Sequence, residues 1–171
     1  MRYNSIVYND LSNGEGCRIS FFCQGCSIHC EGCFNTSLQP FNGGNEFNDE
    51  ILDDTLNVFD IYKNGYDGIT LIGGEEFDNL DFGIKVASEF KRRFPDKTIW
   101  IYSGYTYEEI IEDKNKIELL KLCDVLVDGR FMKELKDPTL KFKGSSNQRI
   151  IDIKKSLKER KVVLWGNVES L

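Results

Sequence analysis

The chain has 171 residues, of which 40% are hydrophobic and 29% are charged, and its net charge is −6. This length and composition are typical of one soluble globular domain, which we place at residues 1–171. The acidic balance argues against a nucleic-acid-binding protein, because such a protein needs a basic face to neutralise phosphates. The sequence shows no signal-peptide pattern and no apolar stretch long enough to cross a membrane. We therefore expect a cytoplasmic protein, in which clustered cysteines bind metal more often than they form disulfides.

Strand and helix patterns alternate along the chain. Short apolar runs predict strands at residues 5–8, 17–22, 69–72, 98–102 and 123–127. Three helices are predicted between them by apolar residues at helical spacing. The first is capped by Asn48 and ends at residues 64–65, the second is capped by Asp78 and stopped by Pro95, and the third opens on a Thr106–Glu109 capping box.

This alternation predicts parallel strands joined by crossover helices. A complete (β/α) barrel needs about 250 residues, so the chain is too short for one. We therefore expect an α/β fold built as an open partial (β/α) barrel with mostly parallel strands. The tail is less regular, with a loop at residues 144–147, strands at 149–153 and 161–165, and a short polar segment at 156–160.

Three of the six cysteines, Cys26, Cys30 and Cys33, lie in one short loop directly after the second predicted strand. Thiolates are the preferred ligands of iron–sulfur clusters, which usually have four of them. A loop that supplies three ligands leaves one iron without a protein ligand, as open catalytic metal sites do. The spacing therefore indicates a cluster with one corner free for a small molecule.

Other interpretations of the same cysteines stay open. Cys23 could join the three loop cysteines in a closed set that holds zinc or an electron-transfer cluster, and disulfides are a third possibility. His29 is a further potential ligand, although a single histidine in a loop is more often only solvated. Cys17 and Cys123 lie in apolar stretches, so we expect both to be buried thiols.

Three glycine-containing loops also follow predicted strands, at residues 73–75, 103–105 and 128–130. In parallel α/β proteins, ligands bind at the carboxyl ends of the strands. We therefore expect these loops to face the cysteine loop and to bring the charges of Glu75, Asp128 and Arg130 near it. Taken singly, each loop is also a common tight turn.

Several blocks of the sequence resemble a known family. The run of Cys26, Cys30 and Cys33 followed by Phe34-Asn35 is similar to the signature of the radical S-adenosylmethionine (SAM) enzymes. Within that superfamily, the chain resembles the activating proteins of anaerobic ribonucleoside-triphosphate reductase. The blocks that carry this resemblance reach to about residue 153 and lie at residues 13–16, 25–35, 98–105, 127–129 and 142–149.

The resemblance implies a [4Fe–4S] cluster on Cys26, Cys30 and Cys33, with SAM on the fourth iron. It implies reductive cleavage of SAM to a 5′-deoxyadenosyl radical, which generates a glycyl radical on the large subunit of the reductase. It also implies an electron donor such as flavodoxin. Two alternatives remain, namely activation of another glycyl-radical enzyme such as pyruvate formate-lyase, and a non-catalytic four-cysteine electron-transfer or zinc module.

The resemblance also implies the residues that contact SAM. Gly32, Cys33 and Phe34 match family positions beside SAM, with Phe34 close to the adenine. Gly74 matches the glycine that approaches the methionine amino group, and Glu75 stands where the family has an acidic residue. The family usually has proline at the next position, where this chain has Glu76. We expect this change to free the loop and to place an additional carboxylate near the amino group of SAM.

Overall fold

The computed structural model describes residues 1–166, so the last five residues of the predicted domain, 167–171, lie outside the described part. Seven strands and five α-helices are formed within it. In chain order they are β1 (Arg2–Asp10), β2 (Arg18–Cys23), β3 (Asn45–Glu46), α1 (Asp49–Ile61), β4 (Gly68–Gly73), α2 (Leu80–Arg93), β5 (Thr98–Tyr102), α3 (Tyr107–Glu112), α4 (Lys116–Leu122), β6 (Val125–Asp128), β7 (Arg149–Asp152) and α5 (Ile153–Glu159). None of these helices combines the length and the apolar character needed to cross a bilayer.

The strands form one open sheet in the order β3-β1-β2-β4-β5-β6-β7. Strands β2, β4, β5 and β6 run parallel to one another, as predicted. Strands β1, β3 and β7 pair antiparallel, so the expectation of mostly parallel strands holds only for the centre of the sheet. The connection from β1 to β2 is too short for a parallel crossover, and the one from β6 to β7 contains no α-helix. The fold is therefore mixed α/β with a partly parallel sheet.

The two faces of the sheet differ in what covers them. One face packs against the helices, and its fully buried residues include Ile19, Phe21 and Leu71. The other face carries a smaller cluster around Trp100 and Val127 that contains no helical residue. Because side chains alternate along a strand, successive residues of β2 point to opposite faces. This alternation decides which residues reach the core and which reach the site.

Local signals predict several helix ends correctly. The Asn48 side chain accepts a hydrogen bond from the Ile51 N–H at 3.0 Å, and the capping box of Thr106 and Glu109 is formed. The third predicted helix is in fact two, α3 and α4. The chain breaks between them at Asp113, whose carboxylate accepts hydrogen bonds from two following backbone N–H groups.

Other predictions for the chain are wrong. Asp78 does not cap α2, because its carboxylate is engaged elsewhere and the position before the helix is Asn79. The predicted strand at residues 161–165 is reduced to a single bridge between Ile151 and Leu164. Cys123 is fully buried as expected, whereas Cys17 is only partly buried.

Candidate functional site

A cavity of about 380 Å³ lies beyond the carboxyl ends of the central strands. All three loop cysteines, Cys26, Cys30 and Cys33, line it. The loops after β4, β5 and β6 also reach it, so the predicted meeting of these loops is confirmed. Residues that they and the cysteine loop contribute to the lining are Phe34, Gly74, Glu75, Ser103, Gly104 and Gly129.

Cys23 lies outside this cavity. It ends β2 on the same face as Ile19 and Phe21, so its side chain enters the helix-covered core and is fully buried. Burial raises the pKa of its thiol well above the ordinary value. The ring of His29 contacts Gln39 at 3.1 Å and does not line the cavity either. Across residues 1–166, no three His, Cys, Asp or Glu side chains are arranged to hold a single metal ion.

The start of the cysteine loop is fastened to the loop after β4. The Gly25 carbonyl accepts hydrogen bonds from the Glu75 N–H at 2.8 Å and from the Asn79 side chain at 2.9 Å. Gly74 packs directly on the same peptide, since a Cβ atom added there would lie 2.3 Å from the Gly25 carbonyl oxygen. Only glycine permits this approach, so the backbone of Gly74 is placed beside the cysteines.

Asp78 holds the next part of the loop. Its carboxylate accepts hydrogen bonds from the Ser27 N–H at 2.8 Å, from the Ser27 hydroxyl at 2.7 Å and from the Tyr105 hydroxyl at 2.9 Å. This role of Asp78 is not evident from the local sequence, because an acidic residue just before a helix is also a standard capping signal. The residue therefore joins the loops after β2, β4 and β5.

Glu75 is buried in the wall of the cavity, and its carboxylate has three hydrogen-bond donors. Its carboxylate accepts hydrogen bonds from the Ser103 hydroxyl at 2.7 Å, the Gly104 N–H at 2.8 Å and the Phe77 N–H at 3.1 Å. Burial raises its pKa to about 7, and these hydrogen bonds offset only part of that effect. A cationic group bound in the cavity would favour the carboxylate form.

Glu76 corrects the prediction that a second carboxylate faces the ligand. Its side chain is fully buried, does not line the cavity and lies on the core side near Cys23. Neither of its oxygens finds a hydrogen-bond partner within the described residues. Burial, reinforced by the nearby Glu75, keeps the pKa of this carboxyl well above its usual value. The Cys23 thiol and backbone lie close enough to offset part of this effect, although neither forms a hydrogen bond of normal geometry with Glu76.

The loop after β6 also differs from expectation. Asp128 is buried and turned away from the cavity, where it accepts hydrogen bonds from the Tyr107 N–H at 2.7 Å and from Arg149 at 3.0 Å. The Arg130 side chain is exposed outside the cavity, although its charge offsets part of the rise that burial causes in the pKa of Cys30. Of this loop, the backbone at Gly129 is what reaches the lining.

The sulfur atoms lie among backbone donors. The Asn35 N–H is 3.3 Å from the Cys33 sulfur. Burial raises the pKa of both Cys26 and Cys30, and nearby backbone N–H groups partly offset this, including that of Phe131 at Cys30. Hydrogen bonds to cysteine sulfur are one means by which proteins tune iron–sulfur clusters. Three thiols, N–H donors at sulfur and open space beside them fit such a cluster with one free corner.

Two further residues, which no sequence motif predicts, line the cavity. The hydroxyl of Tyr102 is buried and has no hydrogen-bond partner among residues 1–166. Phe131 forms part of the wall and packs against Phe34 with ring centroids 5.1 Å apart. The position of Tyr102, on the same face of β5 as Trp100, is the signal that could have identified it. Gly32, predicted beside the ligand, packs against Lys133 and does not line the cavity.

Comparison with known proteins agrees with this arrangement. Residues 12–151 match the family described as the 4Fe-4S single cluster domain. All lining residues of the cavity, from Ser12 to Gln148, fall within that match.

Full-length relatives identify the family more closely. The anaerobic ribonucleoside-triphosphate reductase-activating protein of Haemophilus influenzae is 36% identical over 88% of this chain and 97% of its own length. The proteins of the same name from Escherichia coli K12 and Enterobacteria phage T4 are 34% and 37% identical, over 86% and 88% of this chain and 96% and 93% of their own. The chain belongs to this family of activating proteins.

The 4Fe-4S family match and the cysteine loop concern the same part of the chain. Cysteine thiolates are the usual ligands of such clusters, and within residues 1–166 Cys26, Cys30 and Cys33 are the cysteines that line the cavity. The remaining three lie apart from it, with Cys23 and Cys123 in the core and Cys17 at the start of β2.

Proposed function

We propose that this chain activates an anaerobic (class III) ribonucleoside-triphosphate reductase, as the names of its relatives describe. The proposal includes a [4Fe–4S] cluster on Cys26, Cys30 and Cys33 and SAM on its fourth iron. When bound, these groups supply an electron and a 5′-deoxyadenosyl radical that takes a hydrogen atom from a glycine of the large reductase subunit. The observation that carries the proposal is the separation of three cavity cysteines from Cys23, which is buried on the other face of the sheet.

In this proposal the loop after β4 binds the amino acid part of SAM. The backbone of Gly74 lies at the cavity wall because the residue has no side chain, and it can approach the ligand closely. Glu75 presents a carboxylate to the amino group, and its donors Ser103 and Gly104 hold it in place. The positive charge of bound SAM keeps Glu75 ionised, since a nearby opposite charge lowers the pKa of a carboxyl group.

Aromatic residues enclose the other side of the cavity. Phe34 and Phe131 pack together beside Cys33, and Phe142 lies on the helix-free face next to Trp100. In the proposal Phe34 is close to the adenine. The apolar surface of these rings reduces the contact of a bound group with water, which limits side reactions of a reactive intermediate.

The arrangement of the strands also supports the proposal of a radical SAM fold. Four parallel strands carry the site at their carboxyl ends, and within residues 1–166 the apolar cluster on one face of the sheet contains no helical residue. We propose that this is the open partial barrel of radical SAM enzymes, in a single cytoplasmic domain covering residues 1–171. The partner's glycine enters the cavity from outside, and a carrier such as flavodoxin supplies the electron.

The test uses the protein reconstituted with iron and sulfide under anaerobic conditions. With SAM and dithionite, the wild type should release 5′-deoxyadenosine, and addition of the reductase should produce a glycyl radical detectable by electron paramagnetic resonance. The spectrum of the reduced cluster should change when SAM is added. Cys30→Ala should lose all three signals.

Cys23→Ser is the matched control and should retain the cluster and its response to SAM. Loss of the cluster in this variant would instead favour the closed four-cysteine site. Absence of deoxyadenosine from a fully loaded wild type would refute the proposal. Radical formation on pyruvate formate-lyase but not on the reductase would show that the target is wrong.

A further inference from the structure

An exposed basic segment follows β6 and lies beside the cysteine loop. Residues 130–143 contain five basic and two acidic residues in a chain whose net charge is −6. We define the basic rim as the exposed side chains of Arg130, Lys133, Lys136 and Lys141, together with the exposed apolar residues Phe34, Met132 and Leu135.

The cations of the basic rim are poorly neutralised. On α2, by contrast, Arg92 and Arg93 both pair with Glu89. Across residues 1–166, Arg130, Lys136 and Lys141 form no ion pair, and the closest carboxylate contact of Lys133 is 4.0 Å, to the exposed Glu31. The rim therefore keeps a local positive potential on an otherwise acidic protein.

Apolar groups lie among these cations. Phe34 is 64% exposed, Met132 43% and Leu135 39%. The ammonium group of Lys136 lies 4.7 Å from the centroid of the Phe34 ring, which is a cation–π contact. A surface that combines cations with exposed aromatic and aliphatic groups suits a protein partner better than a small anion.

The rim also adjoins two of the three cysteines. The Phe131 backbone lies at Cys30, and Phe34 directly follows Cys33. The stem of Lys133 packs against Gly32, where an added Cβ would lie 3.3 Å from it. The four basic side chains do not line the cavity, so a protein bound to them would reach the cysteine loop from outside.

We propose that the basic rim is the docking surface for an acidic one-electron carrier protein. This inference rests on the proposed function, which requires one electron from outside the chain in each cycle. The carrier is oxidised by one electron and the cluster is reduced by one, with no bond made or broken. Interfaces of electron carriers are small and transient, and electrostatic attraction speeds their formation. The reductase must bind over the cavity instead, because its glycine has to enter the cavity, which the basic side chains of the rim do not line.

The experiment measures reduction of the cluster-loaded protein by reduced flavodoxin, the acidic carrier used as the probe, in stopped flow without the reductase. The variant carries Lys133→Glu and Lys136→Glu. We expect its second-order rate constant to fall about 10-fold or more at low salt, because steering contributes 10-fold to 1,000-fold to association. The wild-type rate should fall as salt rises from about 20 to about 200 mM, and the variant should lose that dependence.

The control variant carries Lys158→Glu and Lys161→Glu, which make the same charge change on exposed residues at and beyond the end of α5. Its rate with flavodoxin should stay within about 2-fold of the wild type, since steering is a local effect of the docking face. Dithionite should reduce all three proteins equally, which shows that the clusters are intact. An unchanged flavodoxin rate in the rim variant would overturn the inference.

Loss of reductase capture by the rim variant, with normal reduction by flavodoxin, would assign the rim to the reductase and also overturn the inference. Failure of the proposed function would look different. It would appear as absent deoxyadenosine with dithionite in the wild type, whereas the rim experiment measures only cluster reduction.

Discussion

The buried Glu76 gives a prediction about how stability depends on pH. Its carboxyl is fully buried and neither oxygen has a hydrogen-bond partner among residues 1–166, so the folded protein holds the pKa of this carboxyl well above its usual value. The unfolded chain releases this proton near the usual pKa of 4.5. The folded state therefore binds more protons than the unfolded state, and the contribution of Glu76 to stability decreases as the pH rises above that value.

The usual pKa sets the upper limit of the effect. Each pH unit above it costs about 1.4 kcal/mol as long as the folded carboxyl stays protonated. The penalty is below about 1 kcal/mol at pH 5 and reaches at most about 4 kcal/mol at pH 7.5, so it grows by at most about 3 kcal/mol between them. Glu76→Gln has nearly the same shape and does not titrate. From pH 5 to pH 7.5, the free energy of unfolding of Glu76→Gln should increase relative to that of the wild type by up to about 3 kcal/mol.

The assay is equilibrium urea unfolding followed by circular dichroism, with both proteins in the same state of cluster loading. The measured quantity is the difference in unfolding free energy between Glu76→Gln and the wild type. Its change with pH is informative and its value at one pH is not, because the buried glutamine amide adds a constant cost of about 1–3 kcal/mol. Glu112→Gln, at the exposed end of α3, is the control and should show no such change. A Glu76→Gln difference that is equal at both pH values would refute the assignment of a buried neutral carboxyl.

Three further predictions concern the cavity. Tyr102→Phe should weaken SAM binding, measured by calorimetry, about 5- to 10-fold, because one hydrogen bond contributes about 1 kcal/mol. The melting temperature should not change. Equal SAM affinity of the two proteins would show that the hydroxyl does not contact SAM. Gly74→Ala should lower the iron content after reconstitution, since its Cβ would lie 2.3 Å from the Gly25 carbonyl; normal loading would contradict the close packing. Asp78→Ala should also lower iron loading, because it removes hydrogen bonds to the cysteine loop and to Tyr105. It should lower the free energy of unfolding in urea by about 1–3 kcal/mol. Unchanged iron loading and stability would show that these hydrogen bonds do not hold the loop.

The parts of the fold that were predictable are those with local signals. The strand at residues 98–102 and the capping box that follows it are read from a few adjacent residues, and both are confirmed. Asp78 is the opposite case. A capping aspartate and a loop-binding aspartate have the same local sequence, and the distinguishing partner, Ser27, lies 51 residues earlier. Local sequence preferences cannot reveal a contact between residues so far apart in the sequence.

The choice between an open and a closed cysteine set depends on side-chain direction. Spacing alone left Cys23 as a possible fourth ligand. In the structure Cys23 shares the face of Ile19 and Phe21, which is the covered face of the sheet, while the loop cysteines line the cavity. The alternation of a strand contains this information, but only once the register and the covered face are known.

Glu76 shows why a departure from a family pattern is hard to interpret from sequence. Proline restricts the residue before it to extended conformations, and Glu75 has that conformation here, with φ −130° and ψ 113°. The hydrogen bond from the Phe77 N–H to the Glu75 carboxylate, and those from Ser103 and Gly104, hold the loop without a proline. The chain therefore keeps the loop geometry, and the consequence of the substitution falls on the core, as a buried carboxyl beside Cys23, instead of on the ligand.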